Sequence, residues 1–435
     1  LGPDYRFQTP VYKRGRIDEA GTLKGDLILV ATGDPTMGGR TTPEGTIAYR
    51  SSDHTYEGTD VLTDTNPLSG LDQLAQQVAR AGIKLVDGEV YIDDRLFRPF
   101  ESTGSGPKRV WPITINDNVI DIVIKPRDAG LPAIVDIRPK SARIVVDADV
   151  MTVPADQKER LSIVSHELGR VIVRGVVRAP KPGEPAKEMV RIVEVEDPPA
   201  LARILFLEAL TRAGVRTTPS IYSPNPSVDG LPTGFPEIDR VALLTSPPFS
   251  ENIKLILKVS HNLHASQLPV QIALATGKSN LDEGLRRQGE ILKKLGVPIE
   301  SISFGGGAGG SPAVLVTPAA CSAVLRAMAR HPHGQAYIQG LPVLGIDGTL
   351  LDSIDRNSPA VGKVLAKTGT FWWNNVMNNK KVLTSKGLAG YLRTASGREL
   401  VFALFVNYVH LNQTEDRAKV GKTLGKICEL WMNAY

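Results

Sequence analysis

The sequence of 435 residues has little cysteine, few aromatic side chains and little excess of charge of either sign. Its two cysteines, Cys321 and Cys428, form no metal-site spacing, so we interpret them as packing residues. Aromatic residues account for 6% of the chain, and the formal net charge at pH 7 is +5. Because the charges are scattered rather than concentrated in one arm or stripe, the sequence predicts no nucleic-acid partner.

Long apolar runs are also absent. The nearest candidate, residues 200–210, is interrupted and shorter than the roughly 18 residues of a membrane span, so no transmembrane segment is predicted. A hydrophobic content of 42% with 22% charged residues is ordinary for a globular protein and argues against disorder, collagen and coiled coil. The 41 glycines and 31 prolines indicate many turns between short strands, and the length is typical of two or three domains.

The first half of the chain is predicted to be rich in strands. Short β-branched runs bounded by Gly, Pro or Asp predict strands at 6–12, 23–32, 89–93, 119–125, 142–148 and 171–178. Apolar residues at helical spacing predict helices at 71–81 and 199–213, the second with Asp197 as its N-cap. The proline-rich stretch 217–248 predicts a domain boundary.

The pattern changes after this boundary. Helices are predicted at 251–259, 264–276, 281–295 and 318–330, followed by strands at 364–371, 388–394 and 399–407 and a closing helix at 416–433. Three strands followed by a covering helix predict a layered α/β module for this half of the chain.

Two short polar motifs lie in the second half. Ser260-His261-Asn262 follows a helix, where its hydroxyl and amide can face one cleft while the histidine points elsewhere; the alternative is a polar helix stop with Asn262 as the cap. Lys367-Thr368-Gly369-Thr370 begins the three-stranded segment. There a cation and hydroxyls suit a substrate carboxylate, and backbone N–H groups suit an oxyanion; the alternative is a solvated turn.

Together the two motifs match a known pattern. A Ser-x-Asn at a helix end followed by a Lys-Thr-Gly on a strand matches the second and third signatures of penicillin-interacting serine enzymes. The chain around them resembles the class C low-molecular-mass penicillin-binding proteins, the D-alanyl-D-alanine carboxypeptidase/endopeptidase family. The resemblance covers nearly the whole chain and is carried, in the family's order, by segments 1–7, 23–29 with 33–36, 86–93, 116–118, 341–350, 366–370 and 390–397.

The resemblance implies an α/β fold. Its core is of the transpeptidase (beta-lactamase-like) type, with an antiparallel sheet and flanking helices, and strand-rich subdomains are inserted into it. We predict one inserted subdomain from 1–60 and 150–235, a second from 61–149, and the transpeptidase-like core from 236–435.

The implied activity is serine-type D-alanyl-D-alanine carboxypeptidase or endopeptidase chemistry on peptidoglycan stem peptides through an acyl-enzyme, with β-lactams as acylating inhibitors. Ser260 is expected to pass a proton to the leaving amine, Lys367 to hold the local field and the substrate carboxylate, and Asn262 to hold the substrate amide. Thr368, Gly369 and Thr370 are expected to line the substrate site, with the N–H of Thr370 as half of the oxyanion hole. No metal or organic cofactor is required, and the family implies a periplasmic or other extracytoplasmic envelope location.

Three segments depart from the family pattern. The family's nucleophilic Ser-x-x-Lys is expected upstream of the match to residues 1–4, and Ser105-Gly-Pro-Lys108 is interpreted as a chance match because Pro107 breaks helical geometry. The glycine-rich segment 304–311 stands where the family tends to carry an Asp-Gly-Ser-Gly-type loop, so the polar contacts of that loop are not assigned to this chain. The long connection 371–387 is either a flap over the cleft or a solvated hairpin. A non-catalytic peptidoglycan-binding relative or scaffold therefore stays an alternative.

Other site types have weaker support. Gly305, Gly307 and Gly310 fit a dinucleotide-binding pattern, but Pro312 follows at once and no acidic residue occurs between 305 and 345. His261 and His264 lack further ligands at matching spacing, so they are predicted to be polar or capping residues rather than metal ligands. The sequence contains neither a Gly-x-Ser-x-Gly elbow nor a phosphate-binding Gly-x-x-x-x-Gly-Lys-Ser/Thr loop.

Overall fold

The computed structural model describes residues 1–56, 61–166, 169–181, 183–412 and 416–435. Within these ranges 17 strands and eight α-helices alternate along the chain. The helices are α1 (Ser69–Arg80), α2 (Pro198–Arg212), α3 (Phe249–Val259), α4 (Asn262–Leu274), α5 (Leu281–Lys294), α6 (Pro318–Arg330), α7 (Gly334–Gly340) and α8 (Asp416–Ala434). None of them is long and apolar enough to cross a bilayer.

The strands form five sheets. The strands of the first half are β1 (Gln8–Ile17), β2 (Thr22–Val30), β3 (Leu85–Asp87), β4 (Val90–Asp93), β5 (Phe100–Glu101), β6 (Arg109–Val110), β7 (Val119–Lys125), β8 (Ile134–Arg138), β9 (Val145–Val153), β10 (Arg160–His166), β11 (Arg170–Arg178) and β12 (Met189–Glu194). Those of the second half are β13 (Arg216–Thr217), β14 (Arg240–Thr245), β15 (Val364–Asn375), β16 (Lys380–Arg393) and β17 (Glu399–Leu411).

The largest sheet has the order β13-β3-β2-β1-β14, with β4 also paired to β2. Apolar residues of β2, such as Leu27 and Leu29, are fully buried and belong to one hydrophobic core with the apolar faces of α1 and α2. Asp197 caps α2 by accepting from the backbone N–H of Ala200, as the sequence predicts. The segments 31–56 and 94–118 follow β2 and β4 of this layer. They extend to Ser260 and Asn262, which Tyr56 and Ser105 contact.

Two smaller three-stranded sheets follow the orders β12-β7-β8 and β10-β11-β9. β7 is the central strand of the first, and its residues Ile120, Ile122 and Ile124 are buried in the same core. The turn before β7, Asn116–Asn118, is buried and points towards α4.

The second half carries the sheet β15-β16-β17, all antiparallel, with α8 packed on it. Buried Leu388 and Phe402 of this sheet share a core with Leu424 and Cys428 of α8, so Cys428 is a packing residue as predicted. Lys367 of β15 contacts Ser260, the residue that follows α3, so the two segments lie next to each other.

Most predicted elements are confirmed to within a few residues, and two regions need correction. The proline-rich stretch 217–248, predicted to be a domain boundary, contains a strand that the sequence analysis did not predict: β14 pairs with β1 as the edge of the large sheet. β15 and β16 run on as a paired hairpin to Asn375 and Lys380, so the hairpin alternative for 371–387 is the one observed. The subdomain boundaries stay a prediction; in the structure, strands from all three predicted segments share the large sheet.

Candidate functional site

Ser260 lies where α3 ends. It is the C-cap of that helix and has left-handed backbone angles, φ 65° and ψ 45°. Residues other than glycine adopt these angles at a cost in free energy. Its backbone carbonyl accepts a hydrogen bond from the Tyr56 hydroxyl, and its Oγ lies 2.7 Å from Lys367 Nζ. The turn therefore delivers the Ser260 hydroxyl to the Lys367 amine, and the structure brings the two sequence motifs together.

Lys367 lies on β15, whose register pairs it with Ala389 of β16. Its Nζ donates to Ser260 Oγ and, at 2.9 Å, to the carbonyl of Thr368. Burial, with a smaller contribution from the nearby Lys386 cation, lowers the pKa of Lys367 to about 8. The amine can therefore change its charge close to physiological pH.

The rest of the Lys-Thr-Gly-Thr segment is partly open to solvent. The Thr368 hydroxyl donates to Thr349 Oγ1 at 2.9 Å, and Lys386 Nζ donates to Thr370 Oγ1 at 2.7 Å. Gly369 is exposed, and a Cβ built on it would meet open space. Two hydroxyls, two amines and an unobstructed strand edge are suited to bind an anionic substrate group.

Asn262, two residues after Ser260, is the first residue of α4. Its Nδ2 lies 3.3 Å from the carbonyl of Ser105 and 3.4 Å from Ser105 Oγ, so the loop 102–108 forms a wall of the same cleft. The glycine-rich segment packs behind this loop, where the N–H of Ala308 donates to Thr103 Oγ1 and a Cβ on Gly310 would lie 2.4 Å from Gly104 Cα. Close backbone packing accounts for these glycines, and the next helix begins only at Pro318.

The hairpin tip beyond the cleft is solvated. Trp373 is 65% exposed, and Val376 and Met377 are almost fully exposed. Lys381 Nζ lies 4.4 Å from the centre of the Trp372 ring, and Arg417 contacts the same ring at 5.2 Å. Two cations thus contact the Trp372 ring near the end of the sheet.

A buried ion network lies beneath Ser260 and Asn262. His261 is fully buried, and its Nδ1 accepts from the backbone N–H of His264, so it caps α4 as predicted. The rings of His261 and His264 stack with their centres 3.9 Å apart. The buried ion network comprises Arg40, Asp53, His54, Asp117, Asp121, Arg138, His261 and His264.

Asp117 is the centre of this buried ion network. Its Oδ2 accepts from Arg40 Nη2 at 2.6 Å and lies 2.8 Å from His54 Nε2, while its Oδ1 lies 2.7 Å from His264 Nε2. The other ring nitrogen of His54 lies 2.6 Å from Asp121 Oδ1. Both nitrogens of His54 therefore face carboxylates, which requires the doubly protonated ring.

The local electrostatics agree with this assignment. Burial disfavours the charged form of His54, but Asp121 and Asp53 outweigh it and raise its pKa to about 9. Burial and the neighbouring His261 lower the pKa of His264 to about 4. Burial also opposes ionisation of Asp117, yet Arg40 and His261 hold its pKa well below the usual range. Near pH 7 His54 is charged and His264 is neutral.

The turn that carries Asp117 is unusual. Asn116, Asp117 and Asn118 have φ values of 50°, 54° and 56°, so three consecutive non-glycine residues are left-handed. Such a conformation costs roughly 1–3 kcal/mol for each residue and persists only where the surroundings enforce it. Asn116 Nδ2 donates to the carbonyl of Val119, and Asn118 Oδ1 accepts from the N–H of Ile115, which holds the turn.

The buried ion network also bears on metal binding. Asp117, His261 and His264 each place a ligand atom within 4.8 Å of the others, as do Asp53, His54 and Asp117. Sequence spacing does not show this proximity, because folding brings in Asp117 from 147 residues before His264. Since the Arg40 guanidinium already occupies the space beside Asp117 and Asp53, we assign no metal to this site.

The predicted site residues thus fall in one cleft, and the sequence analysis missed what lies under it. Ser260, Asn262 and the 367–370 strand segment line the cleft. The supporting Asp53, His54 and Asp117 were not identified. A signal was present in Asn116-Asp117-Asn118, which is rich in residues that tolerate the left-handed region, but it does not name the partners.

The chain is also similar in sequence to known proteins. Residues 1–426 match the D-Ala-D-Ala carboxypeptidase 3 (S13) family. The chain is 26% identical over 428 residues to the D-alanyl-D-alanine carboxypeptidase of Actinomadura sp. (strain R39), an alignment that covers 94% of this chain and 70% of the relative. It is 24% identical over 440 residues to the D-alanyl-D-alanine carboxypeptidase DacB of Haemophilus influenzae, covering 96% of this chain and 79% of that protein.

The fold is also similar to solved structures. Penicillin binding protein 4 of Haemophilus influenzae superposes with a TM-score of 0.69 at 20% identity, covering 98% of this chain and 87% of that chain. The structure of that protein complexed with a novel β-lactam gives a TM-score of 0.66, also at 20% identity, with 98% and 86% covered. These likenesses confirm the predicted fold class.

Proposed function

This chain belongs to the D-Ala-D-Ala carboxypeptidase 3 (S13) family, and from that premise we propose that its cleft performs serine-type acyl transfer on peptidoglycan stem peptides. The reaction is the attack of a serine on the carbonyl of a terminal D-Ala–D-Ala bond, release of D-alanine and hydrolysis of the acyl-enzyme. β-Lactams are expected to acylate the same serine. An extracytoplasmic location in the cell envelope is part of the proposal, because the substrate lies there.

The observation that carries the proposal is the hydrogen bond from Lys367 Nζ to Ser260 Oγ, at 2.7 Å. An amine with a pKa of about 8 beside a hydroxyl can hold a proton near neutral pH and orient the hydroxyl. Ser260 is therefore proposed to deliver the proton that the leaving amine needs, with Lys367 supplying positive charge to the cleft.

The neighbouring groups have complementary roles in this proposal. The Thr368 and Thr370 hydroxyls are proposed to bind the substrate's terminal carboxylate, with the Lys386 cation beside Thr370 adding charge. Asn262 faces Ser105 across the cleft and is proposed to hold the amide of the substrate backbone. Gly369 leaves room for the substrate along the edge of β15, and the N–H of Thr370 is proposed as half of the oxyanion hole.

The test is acylation by a fluorescent penicillin, followed by intact mass and peptide mapping of the full-length gene product. One adduct per molecule is expected, on a serine other than Ser105. The Ser105→Ala variant is expected to be labelled on the same serine as the wild type, because Pro107 prevents Lys108 from taking helical spacing beside Ser105. If the wild-type protein is not labelled, the proposed enzymatic activity is contradicted and the non-catalytic peptidoglycan-binding alternative is favoured. An adduct mapped to Ser105 contradicts the interpretation of Ser105 as a chance match.

Lys386 provides a test of the charge in the cleft. Burial and Lys386 lower the pKa of Lys367, so removing the Lys386 charge in Lys386→Met raises the pKa of Lys367. Because the proposal gives Lys367 its role as a cation, the acylation rate is expected to fall as pH rises through about 8. In Lys386→Met this alkaline limb of the pH–rate profile is expected to move to higher pH. Lys386→Arg keeps the charge and is expected to keep the wild-type limb. An unchanged limb in Lys386→Met is the contrary result.

A further inference from the structure

Ser260 and Asn262 face the cleft, while His261 between them is buried among charged side chains. We propose that Asp117 is a positioning residue for this cleft: its hydrogen bonds in the buried ion network fix the backbone that presents Ser260 and Asn262. The inference rests on the proposed function and adds a residue that never touches substrate.

The connection from Asp117 to the cleft is short. Asp117 Oδ1 binds His264 Nε2, and His264 lies in the first turn of α4, two residues after Asn262. The backbone N–H of His264 donates to His261 Nδ1, and the two rings stack. A displacement of Asp117 is therefore passed through direct contacts to His264 and from it to His261, the residue just before Asn262.

The other side of Ser260 is tied to the same buried ion network. Asp53 Oδ2 lies 2.8 Å from Arg40 Nη2, the nitrogen that also binds Asp117. Asp53 Oδ1 accepts from the backbone N–H and the hydroxyl of Thr55, which sets the turn leading to Tyr56. The Tyr56 hydroxyl then donates to the carbonyl of Ser260. The carbonyl of the left-handed Ser260 is thus fixed by Tyr56. The ring of His261, the next residue, is fixed by Asp53 and Asp117.

Each carboxylate of the buried ion network lies beside at least one cationic side chain. The doubly protonated His54 bridges Asp117 and Asp121, each within 2.8 Å. Three anionic side chains face three cationic ones; they are Asp53, Asp117 and Asp121 against Arg40, His54 and Arg138. Paired buried charges resist displacement, because removing one partner leaves the other uncompensated.

The left-handed turn at 116–118 gives independent support. A run of strained backbone is retained where it aims a side chain, and here it aims Asp117 at α4. Asn116 donates to Asp121 Oδ2 and so joins the turn to the same charges. The turn is held by side-chain amides on both sides of Asp117.

The test compares Asp117→Asn with Asp121→Asn in the full-length gene product. Both carboxylates bind His54, but only Asp117 contacts α4, so both variants are expected to lose thermal stability while only Asp117→Asn loses function. For a chromogenic cephalosporin, we expect the first-order acylation constant of Asp117→Asn to fall about 10- to 100-fold, with the non-covalent dissociation constant changed by less than about threefold. Asp121→Asn is expected to keep both constants within about threefold of the wild type.

A second variant separates helix capping from the buried ion network and remains informative if Asp117→Asn does not fold. His261→Asn keeps an N-cap side chain for α4 but cannot stack on His264 or reach the carboxylates. It is expected to show the same selective loss of the acylation constant. Hydrogen exchange at the amides of His264 and Ala265 is expected to accelerate in Asp117→Asn and His261→Asn, and not in Asp121→Asn.

Several results overturn the proposal. The first is a wild-type acylation constant in Asp117→Asn or His261→Asn. The second is an equal fall of the acylation constant in Asp117→Asn and Asp121→Asn. The third is an unchanged rate of amide hydrogen exchange at the first turn of α4 in Asp117→Asn and His261→Asn. One equivalent of tightly bound divalent metal per chain also overturns it, because Asp117, His261 and His264 are then ligands rather than hydrogen-bond partners. The exchange measurement needs no activity, so an unlabelled wild-type protein refutes the proposed function separately.

Discussion

Replacing Lys367 by methionine is expected to reduce acylation by a fluorescent penicillin by about 10²- to 10⁴-fold, the range of a lost proton-transfer or charge-stabilising group. The reason is that Lys367 Nζ is the group within hydrogen-bond distance of Ser260 Oγ on the strand side of the cleft. Without it the hydroxyl loses its donor and the cleft loses a cation near the substrate's carboxylate. The rate constant of acylation in single-turnover labelling measures the effect.

The same substitution is expected to stabilise the fold at neutral pH. Burial, and to a lesser degree Lys386, lowers the pKa of Lys367 from 10.5 to about 8, so the folded state disfavours the protonated amine. This cost is fully present below pH 8 and disappears as pH rises from about 8 to about 10.5. Lys367→Met therefore has a higher melting temperature than the wild type at pH 7, and the difference shrinks over that window.

A matched control lies four residues earlier. Lys363 is exposed just before β15, so Lys363→Met removes a lysine from the same segment without touching the cleft. It is expected to leave acylation and stability close to the wild type. The proposed role of Lys367 is wrong if Lys367→Met is labelled as fast as Lys363→Met.

Replacing Ser260 by glycine is expected to reduce acylation and turnover of a D-Ala–D-Ala peptide by about 10²- to 10⁴-fold, because the proton carrier to the leaving amine is removed. The backbone of Ser260 has φ 65°, which glycine adopts without strain. Ser260→Gly is therefore expected to fold at least as well as the wild type. Released D-alanine and the melting temperature are the two measurements.

Ser260→Ala separates the hydroxyl from the backbone. Alanine also lacks the hydroxyl but is strained at a positive φ, so Ser260→Ala is expected to be less stable than Ser260→Gly. Equal loss of rate in both variants, despite different stability, assigns the effect to the hydroxyl. Wild-type turnover in Ser260→Gly contradicts the proposed proton transfer.

Local patterns were sufficient for much of the secondary structure. The helix predicted at 71–81 is α1, Ser69–Arg80, because its apolar spacing is set by residues that contact one another along the helix. The strands at 119–125 and 171–178 likewise agree with β7 and β11. By contrast, β14 lies inside a proline-rich stretch and forms only because β1 offers it an edge, which no local pattern encodes.

The candidate site divides in the same way. The sequence by itself determined the family resemblance and the two motifs, because Ser260-His261-Asn262 and the 367–370 segment are short stretches whose chemistry can be read from adjacent residues. Only the tertiary structure decided that Lys367 Nζ meets Ser260 Oγ across 107 residues of sequence, and that Asp117 supports them from 147 residues before His264. Buried charges attract whichever opposite charges folding brings within a few ångströms, so their partners are set by packing rather than by spacing along the chain.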